Sequence, residues 1–212
     1  MSQVRVKICG INDAEAFDTA VADGADYVGF VFFPPSPRCV TPVQAASLSA
    51  RHKGGPLRVG LFVDPTDAAI EAAMNAVRLD ILQVYGACDA AALRARFGVS
   101  VWRPVGIETA ADLPRDAGGA DALLLEARPP PAATRPGGNA ATFDWSLLRD
   151  WRPPAPWVLA GGLTPDNVAA AVRATGATIV DVSSGVERAR GVKDVALIRA
   201  FIANARAGEP LP

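Results

Sequence analysis

The chain has 212 residues with a formal net charge of −1, and only 20% of them are charged, so nothing indicates binding to nucleic acid or to a membrane surface. Hydrophobic residues make up 50% of the chain, but no apolar run is long enough to span a bilayer, and the first residues enter a strand pattern without a signal peptide. Three widely spaced cysteines (Cys9, Cys39 and Cys88) form no disulfide framework and no metal-site pattern, and they favour a globular protein in the reducing cytoplasm.

Apolar, β-branched segments recur along the chain and predict eight strands. Most of them are continuous apolar runs, as in parallel strands that are buried on both faces of a sheet. The predicted strands are residues 4–8, 26–33, 57–63, 80–85, 99–105, 121–126, 157–160 and 178–182.

Helical segments separate these strands, and their ends carry the usual signals. Asp13 and Thr41 are typical of helix starts, whereas Gly24, Gly98 and Gly176 are typical of helix ends. The predicted helices lie near residues 12–22, 41–52, 66–77, 89–97, 108–115, 167–174 and 194–205, with 108–115 the weakest, and residues 145–151 begin a further unit.

The alternation of strands and helices implies a parallel sheet with right-handed crossovers. Eight strand-helix units in one chain favour an α/β fold, a single-domain (β/α)8 TIM barrel over residues 1–212. A doubly wound open sheet is the alternative.

One segment interrupts the alternation. Residues 128–138 contain three successive prolines and Gly137-Gly138, a composition that excludes a helix or a central strand. The segment is either a linker between domains or a long loop within one domain. Because strands are predicted on both sides of it, we expect a mobile loop that orders over a bound phosphate.

Glycine-rich turns follow the last two predicted strands. Gly161-Gly162 comes after residues 157–160, and Ser183-Ser184-Gly185 comes after residues 178–182. Glycines let backbone N–H groups approach a ligand closely, and in such barrels the loops after the seventh and eighth strands often hold phosphate. A single pair would indicate no more than a tight turn. Two turns in successive units, with serine hydroxyls as added donors, predict a phosphate site.

In a (β/α)8 barrel the active site forms at the C-terminal ends of the strands. Polar residues at those ends are therefore candidate site residues. They are Lys7, Cys9, Arg38, Asp64, Gln83, Tyr85, Arg103, Glu126, Asp181, Ser183 and Ser184.

Three of these residues have both a structural and a chemical interpretation. Cys9 is either a small buried hydrophobe or, with Lys7 on the same strand face and Gly10 beside it, a thiol that can ionise. Glu126 ends a fully apolar run, where a carboxyl is costly unless it is paired, and this favours a general acid with a raised pKa. Arg38 is either a surface charge or, on its proline-stiffened loop, a partner for a carboxylate.

The other polar residues have simpler interpretations. Asp181 suits hydrogen bonds to the backbone of the following loop, and Asp64 suits a cap of the third helix. His52, the only histidine, is expected to be solvated, which nearly excludes histidine-dependent chemistry. Cys39 and Cys88 are expected to be structural. Three later charges are expected on the surface: Arg188, Arg190 and Lys193.

Several motifs together resemble the phosphoribosylanthranilate isomerase family, and the match runs nearly end to end. These motifs are Lys7-Ile8-Cys9-Gly10, Gly29-Phe30-Val31-Phe32 with Ser36-Pro37-Arg38, Phe143-Asp144-Trp145, residues 159–167, residues 181–187 and Gly191-Val192-Lys193-Asp194. None is specific alone, but the set is highly specific. The family is a (β/α)8 barrel, which agrees with the fold predicted above.

The resemblance implies an Amadori rearrangement of N-(5-phosphoribosyl)anthranilate to 1-(2-carboxyphenylamino)-1-deoxyribulose 5-phosphate, without a cofactor. It also implies roles for individual residues. Cys9 would be the general base that removes the C2′ proton, and Glu126 the general acid that protonates the ring oxygen. Arg38 would hold the anthranilate carboxylate. The remaining substrate-binding residues would be Lys7, Asp181, Gly137, Gly138, Gly161, Gly162, Ser183, Ser184 and Gly185.

The chain departs from the family pattern at three positions. Glu126 stands where the family acid is Asp, and the extra methylene moves the carboxyl by about 1 Å or more, a misplacement that can cost about 10²-fold in rate. Tyr85 stands where the family usually has His. Ala140 replaces a glycine of the loop, which restricts how the backbone curls around phosphate.

These departures leave rival functions open. The chain is either a working isomerase with compensated changes or a relative with a different phosphosugar substrate, such as an aldolase-like barrel. A non-catalytic barrel that binds a sugar phosphate is a further alternative, as is pairing with indole-glycerol-phosphate synthase. The expected partner is a small-molecule substrate, with neither nucleic acid nor membrane, for a monomer or a homodimer.

Overall fold

Eight parallel strands form a closed barrel in the computed structural model, which describes residues 3–129 and 141–208. The strands are β1 (Arg5–Cys9), β2 (Tyr27–Val31), β3 (Leu57–Val63), β4 (Ile81–Tyr85), β5 (Ser100–Ile107), β6 (Ala122–Ala127), β7 (Trp157–Leu159) and β8 (Ile179–Val182). Each strand pairs with its neighbours in chain order, and β8 pairs with β1 to close the ring. This closure confirms the predicted barrel and excludes the open sheet.

Six α-helices pack around the barrel in the described part of the chain. They are α1 (Ala14–Ala22), α2 (Pro42–Ser49), α3 (Asp67–Ala76), α4 (Ala90–Phe97), α5 (Val168–Thr175) and α6 (Val195–Ala207). The predicted caps are confirmed: the side chains of Asp13 and Thr41 accept hydrogen bonds from the first turns of α1 and α2, and Gly98 and Gly176 end α4 and α5 in left-handed conformation. None of these helices is long and apolar enough to cross a membrane.

The lower part of the barrel interior is filled by apolar side chains. Tyr27 and Trp102 pack edge to face with ring centroids 5.1 Å apart, and smaller residues surround them. The other members of this layer are Val59, Ile81, Ala122, Leu124, Val158, Ala160 and Ile179. Because this layer fills part of the barrel interior, the space left for a ligand among the described residues lies at the C-terminal ends of the strands.

Two elements differ from the sequence-based expectation. The predicted helix at residues 108–115 is wrong, since only a 3₁₀ turn forms at Ala110–Asp112. The Asp112 carboxylate accepts hydrogen bonds from the backbone N–H groups of Glu108 and Thr109, which caps the turn, and Pro114 follows closely. The second difference is an antiparallel hairpin after β8 that was not predicted, formed by β9 (Glu187–Ala189) and β10 (Val192–Lys193).

Two predicted site residues, Asp64 and Arg103, are not among the residues that line the pocket at the mouth of the barrel. Arg103 follows the inward-facing Trp102, so it points outward and donates a hydrogen bond to the carbonyl of Asp116, before β6. Asp64 is not the cap of α3, because Thr66 performs that role. Asp64 instead adopts a φ of 42° at the exposed end of β3. The predicted mobile loop at 128–138 lies outside the described residues except for its first two positions.

Candidate active site

A pocket opens at the C-terminal ends of the strands, where the predicted catalytic residues meet. Its polar lining comes from Cys9, Ser36, Arg38, Gln83, Tyr85, Glu126, Asp181, Ser183 and Ser184. Its apolar lining comes from Val31, Phe33, Leu61, Val63, Leu163 and Val182, and Gly161, Gly162 and Gly185 complete it. The pocket therefore combines ionisable groups with an apolar wall that suits a flat hydrophobic ring.

Cys9 ends β1 with its thiol buried among charged groups. Gly29 of β2 lies beside it, and a Cβ atom at Gly29 would stand 3.0 Å from the Cys9 sulfur and 3.3 Å from the Lys7 ammonium. Burial raises the pKa of the Cys9 thiol above its usual value, while the Lys7 charge opposes this rise. The expectation that Lys7 favours ionisation of Cys9 has the right direction, but burial is the larger effect.

Lys7 lies directly beneath the pocket and does not line it. Its ammonium is fully buried and forms an ion pair with Asp181 of β8 at 2.8 Å. Burial alone would lower the pKa of Lys7, but the charges of Asp181 and Cys9 raise it above its usual value. Lys7 is therefore a permanent cation that affects the pocket through its charge on Cys9 and Asp181. Asp181 presents its carboxylate to the pocket.

Glu126 ends the apolar part of β6 and is 6% exposed. Burial raises the pKa of its carboxyl to about 8, an effect that the Tyr85 hydroxyl opposes through a hydrogen-bonding interaction. Glu126 is thus largely protonated at neutral pH, as the sequence-based hypothesis of a general acid requires. Gln83 donates a hydrogen bond of 3.3 Å to the Tyr85 hydroxyl, so a polar chain leads from β4 to this carboxyl.

Arg38 reaches the pocket from the loop after β2 and is 3% exposed, which excludes the surface interpretation. Its stem crosses Gly10, where a Cβ atom would stand 2.5 Å from the Arg38 Cδ. Two of its nitrogens donate to Glu187, Nε to Oε1 at 2.5 Å and Nη2 to Oε2 at 2.9 Å. Sequence reasoning missed Glu187 as a site residue.

Lys193 was expected on the surface, and this expectation is wrong. Lys193 is only 3% exposed. Its ammonium donates hydrogen bonds to Glu187 Oε1 at 3.1 Å and to the Ser183 carbonyl at 2.8 Å. The β9–β10 hairpin brings Glu187 and Lys193 together, and the charge pair compensates the burial of both. In the sequence, Glu187 and Lys193 carry opposite charges on either side of Gly191 and belong to two of the motifs that resemble the family, but no role was assigned to either residue. Arg188 and Arg190 are exposed as predicted.

The two glycine turns form one edge of the pocket. Gly161 and Gly162 have φ angles of 81° and 63°, and a Cβ atom at Gly162 would stand 2.7 Å from the backbone of Thr142. A Cβ atom at Gly185 would stand 1.9 Å from the Leu163 carbonyl oxygen, so the two turns pack directly against each other. Ser183 and Ser184 line the pocket beside them. Gly137 and Gly138 lie outside the described residues.

In residues 3–129 and 141–208, no three His, Cys, Asp or Glu side chains are grouped so that they could hold a metal ion. The pocket instead offers a thiol, a protonated carboxyl, an arginine and backbone turns. This set is suited to proton transfer on an anionic substrate.

Comparison with known proteins agrees with this chemistry. The model of the family described as "N-(5'phosphoribosyl)anthranilate (PRA) isomerase" matches residues 6–204. The N-(5'-phosphoribosyl)anthranilate isomerase of Granulibacter bethesdensis is 58% identical over 204 residues, which cover 95% of this chain and 98% of the relative. That of Rhodospirillum rubrum is 51% identical over 218 residues, covering 98% and 100%.

Solved structures agree as well. The crystal structure of the phosphoribosyl anthranilate isomerase from Thermotoga maritima superposes with a TM-score of 0.83 at 36% identity, covering 96% of this chain and 99% of that one. Another such isomerase, in complex with reduced 1-(o-carboxyphenylamino)-1-deoxyribulose 5-phosphate, has a TM-score of 0.82 at 36% identity with the same coverage. The chain belongs to the N-(5'-phosphoribosyl)anthranilate isomerase family.

Proposed function

We propose that this isomerase converts N-(5'-phosphoribosyl)anthranilate to 1-(2-carboxyphenylamino)-1-deoxyribulose 5-phosphate in tryptophan biosynthesis, with Cys9 as general base and Glu126 as general acid. The observation that supports these roles is the meeting, in one pocket, of a thiol from β1 and a protonated carboxyl from β6. The reaction moves hydrogen within one molecule and requires no cofactor. We expect it to take place in the cytoplasm.

The two residues divide the proton transfers. Glu126 donates a proton to the ribose ring oxygen, the C1′–O bond breaks, and a protonated Schiff base forms between C1′ and the anthranilate nitrogen. Cys9, as thiolate, removes the proton from C2′, and the electron pair of that C–H bond forms a C1′–C2′ double bond while the C1′–N double bond becomes single. The resulting enolamine loses its hydroxyl proton and gains one at C1′, which yields the ketone.

The charged surroundings support the Cys9 role despite the raised pKa of its thiol. Once ionised, a thiolate with a raised pKa is the stronger base. The ammonium groups of Lys7 and Lys193 both lower the pKa of Cys9, so each stabilises the thiolate that must form. Burial keeps water away from the reacting carbon and strengthens these electrostatic interactions.

Other groups would hold the two ends of the substrate. Arg38 suits the anthranilate carboxylate, because a guanidinium binds a carboxylate with paired hydrogen bonds. The backbone turns at Gly161-Gly162 and Ser183-Ser184-Gly185 suit the phosphate. Asp181 lines the same pocket and suits a sugar hydroxyl, while its ion pair with Lys7 holds its carboxylate in place.

The test is an assay that follows the fluorescence of the substrate. Because the substrate is unstable, it is generated in the cuvette from anthranilate and phosphoribosyl pyrophosphate by a transferase that joins the two. The natural protein should consume it, and Cys9→Ser and Glu126→Gln should each lower kcat by about 10²-fold or more. Full activity in Cys9→Ser would contradict the base assignment. Turnover of other phosphosugars, combined with no effect of Arg38→Ala, would favour the rival substrate class.

A further inference from the structure

The Arg38 guanidinium presents only one of its edges to Glu187. Nε and Nη2 donate to the two carboxylate oxygens, and these two N–H groups lie on the same side of the planar guanidinium. Among the described residues, the Arg38 side chain donates hydrogen bonds only through Nε and Nη2, and Arg38 lines the pocket. The edge formed by Nη1 and the second hydrogen of Nη2 is therefore the one that a ligand can use.

Glu187 is itself held in place by two further donors. The Lys193 ammonium contacts Oε1 at 3.1 Å, and the backbone N–H of Gly191 donates to Oε2 at 3.0 Å. The Glu187 side chain is 4% exposed. Although burial opposes it, the hydrogen bond from Arg38 and the charge of Lys193 lower the pKa of Glu187 to about 2. Glu187 is thus a carboxylate at any working pH and remains bound to Arg38.

The hairpin that carries both residues is anchored to the rest of the site. Lys193 donates to the Ser183 carbonyl at 2.8 Å, which ties β10 to the turn after β8. The Asn12 side chain donates to the Gly191 carbonyl at 3.0 Å. Gly191 has a φ of 80°, and a Cβ atom there would stand 2.7 Å from the Pro37 carbonyl oxygen, beside Arg38. The hairpin therefore packs directly against the loop that carries Arg38.

We infer that Glu187 and Lys193 are positioning residues, which hold Arg38 so that it binds the substrate carboxylate end-on through Nη1 and Nη2. Arg38 and Lys193 carry two positive charges and Glu187 one negative charge, so this group keeps one net positive charge beside the pocket. Glu187 sets the direction of the guanidinium, and Lys193 sets the charge that attracts the carboxylate. The inference rests on the proposed function, in which Arg38 binds the anthranilate carboxylate.

A crystal structure with the reduced product analogue tests the geometry without catalysis. Both ligand carboxylate oxygens should lie at Nη1 and Nη2 of Arg38, with Glu187 still bound to Nε and Nη2. A ligand carboxylate that displaces Glu187 would overturn the inference and leave the proposed function intact. A carboxylate bound elsewhere than at Arg38 would overturn the role of Arg38 in the proposed function as well.

Kinetics of Glu187→Gln test the positioning role. The variant removes a negative charge, so KM should not rise, but the released guanidinium should misplace the aromatic ring and lower kcat by about tenfold to 100-fold. A kcat within threefold of the natural protein would overturn the role of Glu187. Arg190→Ala, at an exposed position of the same hairpin, is the matched control and should change neither constant by more than twofold.

Lys193→Met gives a different signature, a rise in KM, and covers the case in which Glu187→Gln does not fold. This variant keeps the Arg38–Glu187 pair but removes the net positive charge. KM should rise by about tenfold or more, and kcat at neutral pH should fall as well, because the Lys193 charge also stabilises the Cys9 thiolate. A fall in kcat without a rise in KM would overturn the assignment of Lys193. Circular dichroism melting curves show whether each variant is folded.

Discussion

Glu126 and Cys9 face the same pocket, and burial acts on both in the direction that keeps them uncharged. The effect on Glu126 could be predicted, because its apolar neighbours Leu123, Leu124 and Leu125 adjoin it in the sequence. The effect on Cys9 could not, since its burial comes from residues on other strands, such as Gly29. Sequence reasoning therefore identified the candidate acid with its physical cause, but for the thiol it left two interpretations open.

The raised pKa values predict an unusual pH dependence of kcat/KM. In the proposed mechanism the productive form has Cys9 ionised and Glu126 protonated. The pKa of Glu126 is about 8, and the pKa of Cys9 lies above its usual, higher value. The value of kcat/KM should rise with pH up to about 8, because more Cys9 is ionised while Glu126 stays protonated. Above this pH it should remain flat, because the further ionisation of Cys9 is offset by deprotonation of Glu126. It should fall once Cys9 is fully ionised. The pH profile of kcat/KM for the natural protein checks this prediction. It is recorded with the fluorescence assay from pH 6 upward, in steps of about one pH unit.

Glu126→Gln provides the control for this profile. Without the carboxyl, the break near pH 8 should disappear, and the residual rate should rise until Cys9 is ionised. A break that persists at the same pH in Glu126→Gln would show that another group titrates there.

Glu126→Asp tests the length of the acid. The shorter side chain withdraws the carboxyl by about 1 Å or more, and a misplacement of this size can cost about 10²-fold in kcat/KM. We expect that loss here, because the pocket in this chain places Tyr85 against the longer side chain. The double variant Glu126→Asp with Tyr85→His should recover part of the rate. Equal activity of Glu126→Asp and the natural protein would indicate a tolerated acid.

The elements that shape the site differ in how well the sequence predicts them. Parallel strands have continuous apolar runs, and β3 was predicted with its observed bounds, Leu57–Val63. The β9–β10 hairpin has strands of three and two residues with charged side chains, so no periodic pattern marks it. The burial of Lys193 depends on contacts with Glu187 and Ser183, which composition does not reveal.

The turn after β7 supports a prediction on stability. Gly162→Ala should lower the free energy of unfolding by about 2–4 kcal/mol, because it combines a positive φ with a Cβ 2.7 Å from Thr142. Gly176→Ala is the matched control, since its φ of 68° is similar but no atom lies within 4 Å of the added Cβ. It should cost only the backbone strain, about 1 kcal/mol. Urea unfolding measures both, and equal losses would show that the contact with Thr142 relaxes.

At the scale of the whole molecule, the first and last strands of the barrel meet at a buried ion pair. Lys7 of β1 is aligned with Asp181 of β8 in the strand register, and their side chains are 2.8 Å apart. The sequence predicted eight strands, but the alignment of Lys7 with Asp181 follows from closure of the ring and not from any local pattern. Both members of the pair therefore serve the fold as well as the pocket.

Asp181→Asn should destabilise the protein by about 3–5 kcal/mol, because it leaves the fully buried Lys7 ammonium without its counter-charge. Denaturant unfolding measures this directly and does not depend on activity. Glu71→Gln, which breaks an exposed pair with Arg96, is the control and should leave the free energy of unfolding almost unchanged. A loss below about 1 kcal/mol in Asp181→Asn would mean that Lys7 becomes neutral or reaches water.

The closure of the ring also has a consequence for the newly made chain on the ribosome. Cys9 belongs to β1, whereas Asp181 and Lys193, whose charges act on its thiol, belong to β8 and to the hairpin after it and are synthesised much later. Until those residues have left the exit tunnel, β1 lacks one of its two pairing partners and the Lys7 charge has no counter-ion. The surroundings of Cys9 are thus complete only after β8 and the hairpin have been synthesised, and a nascent chain that stalls before the hairpin carries its thiol in an incomplete site.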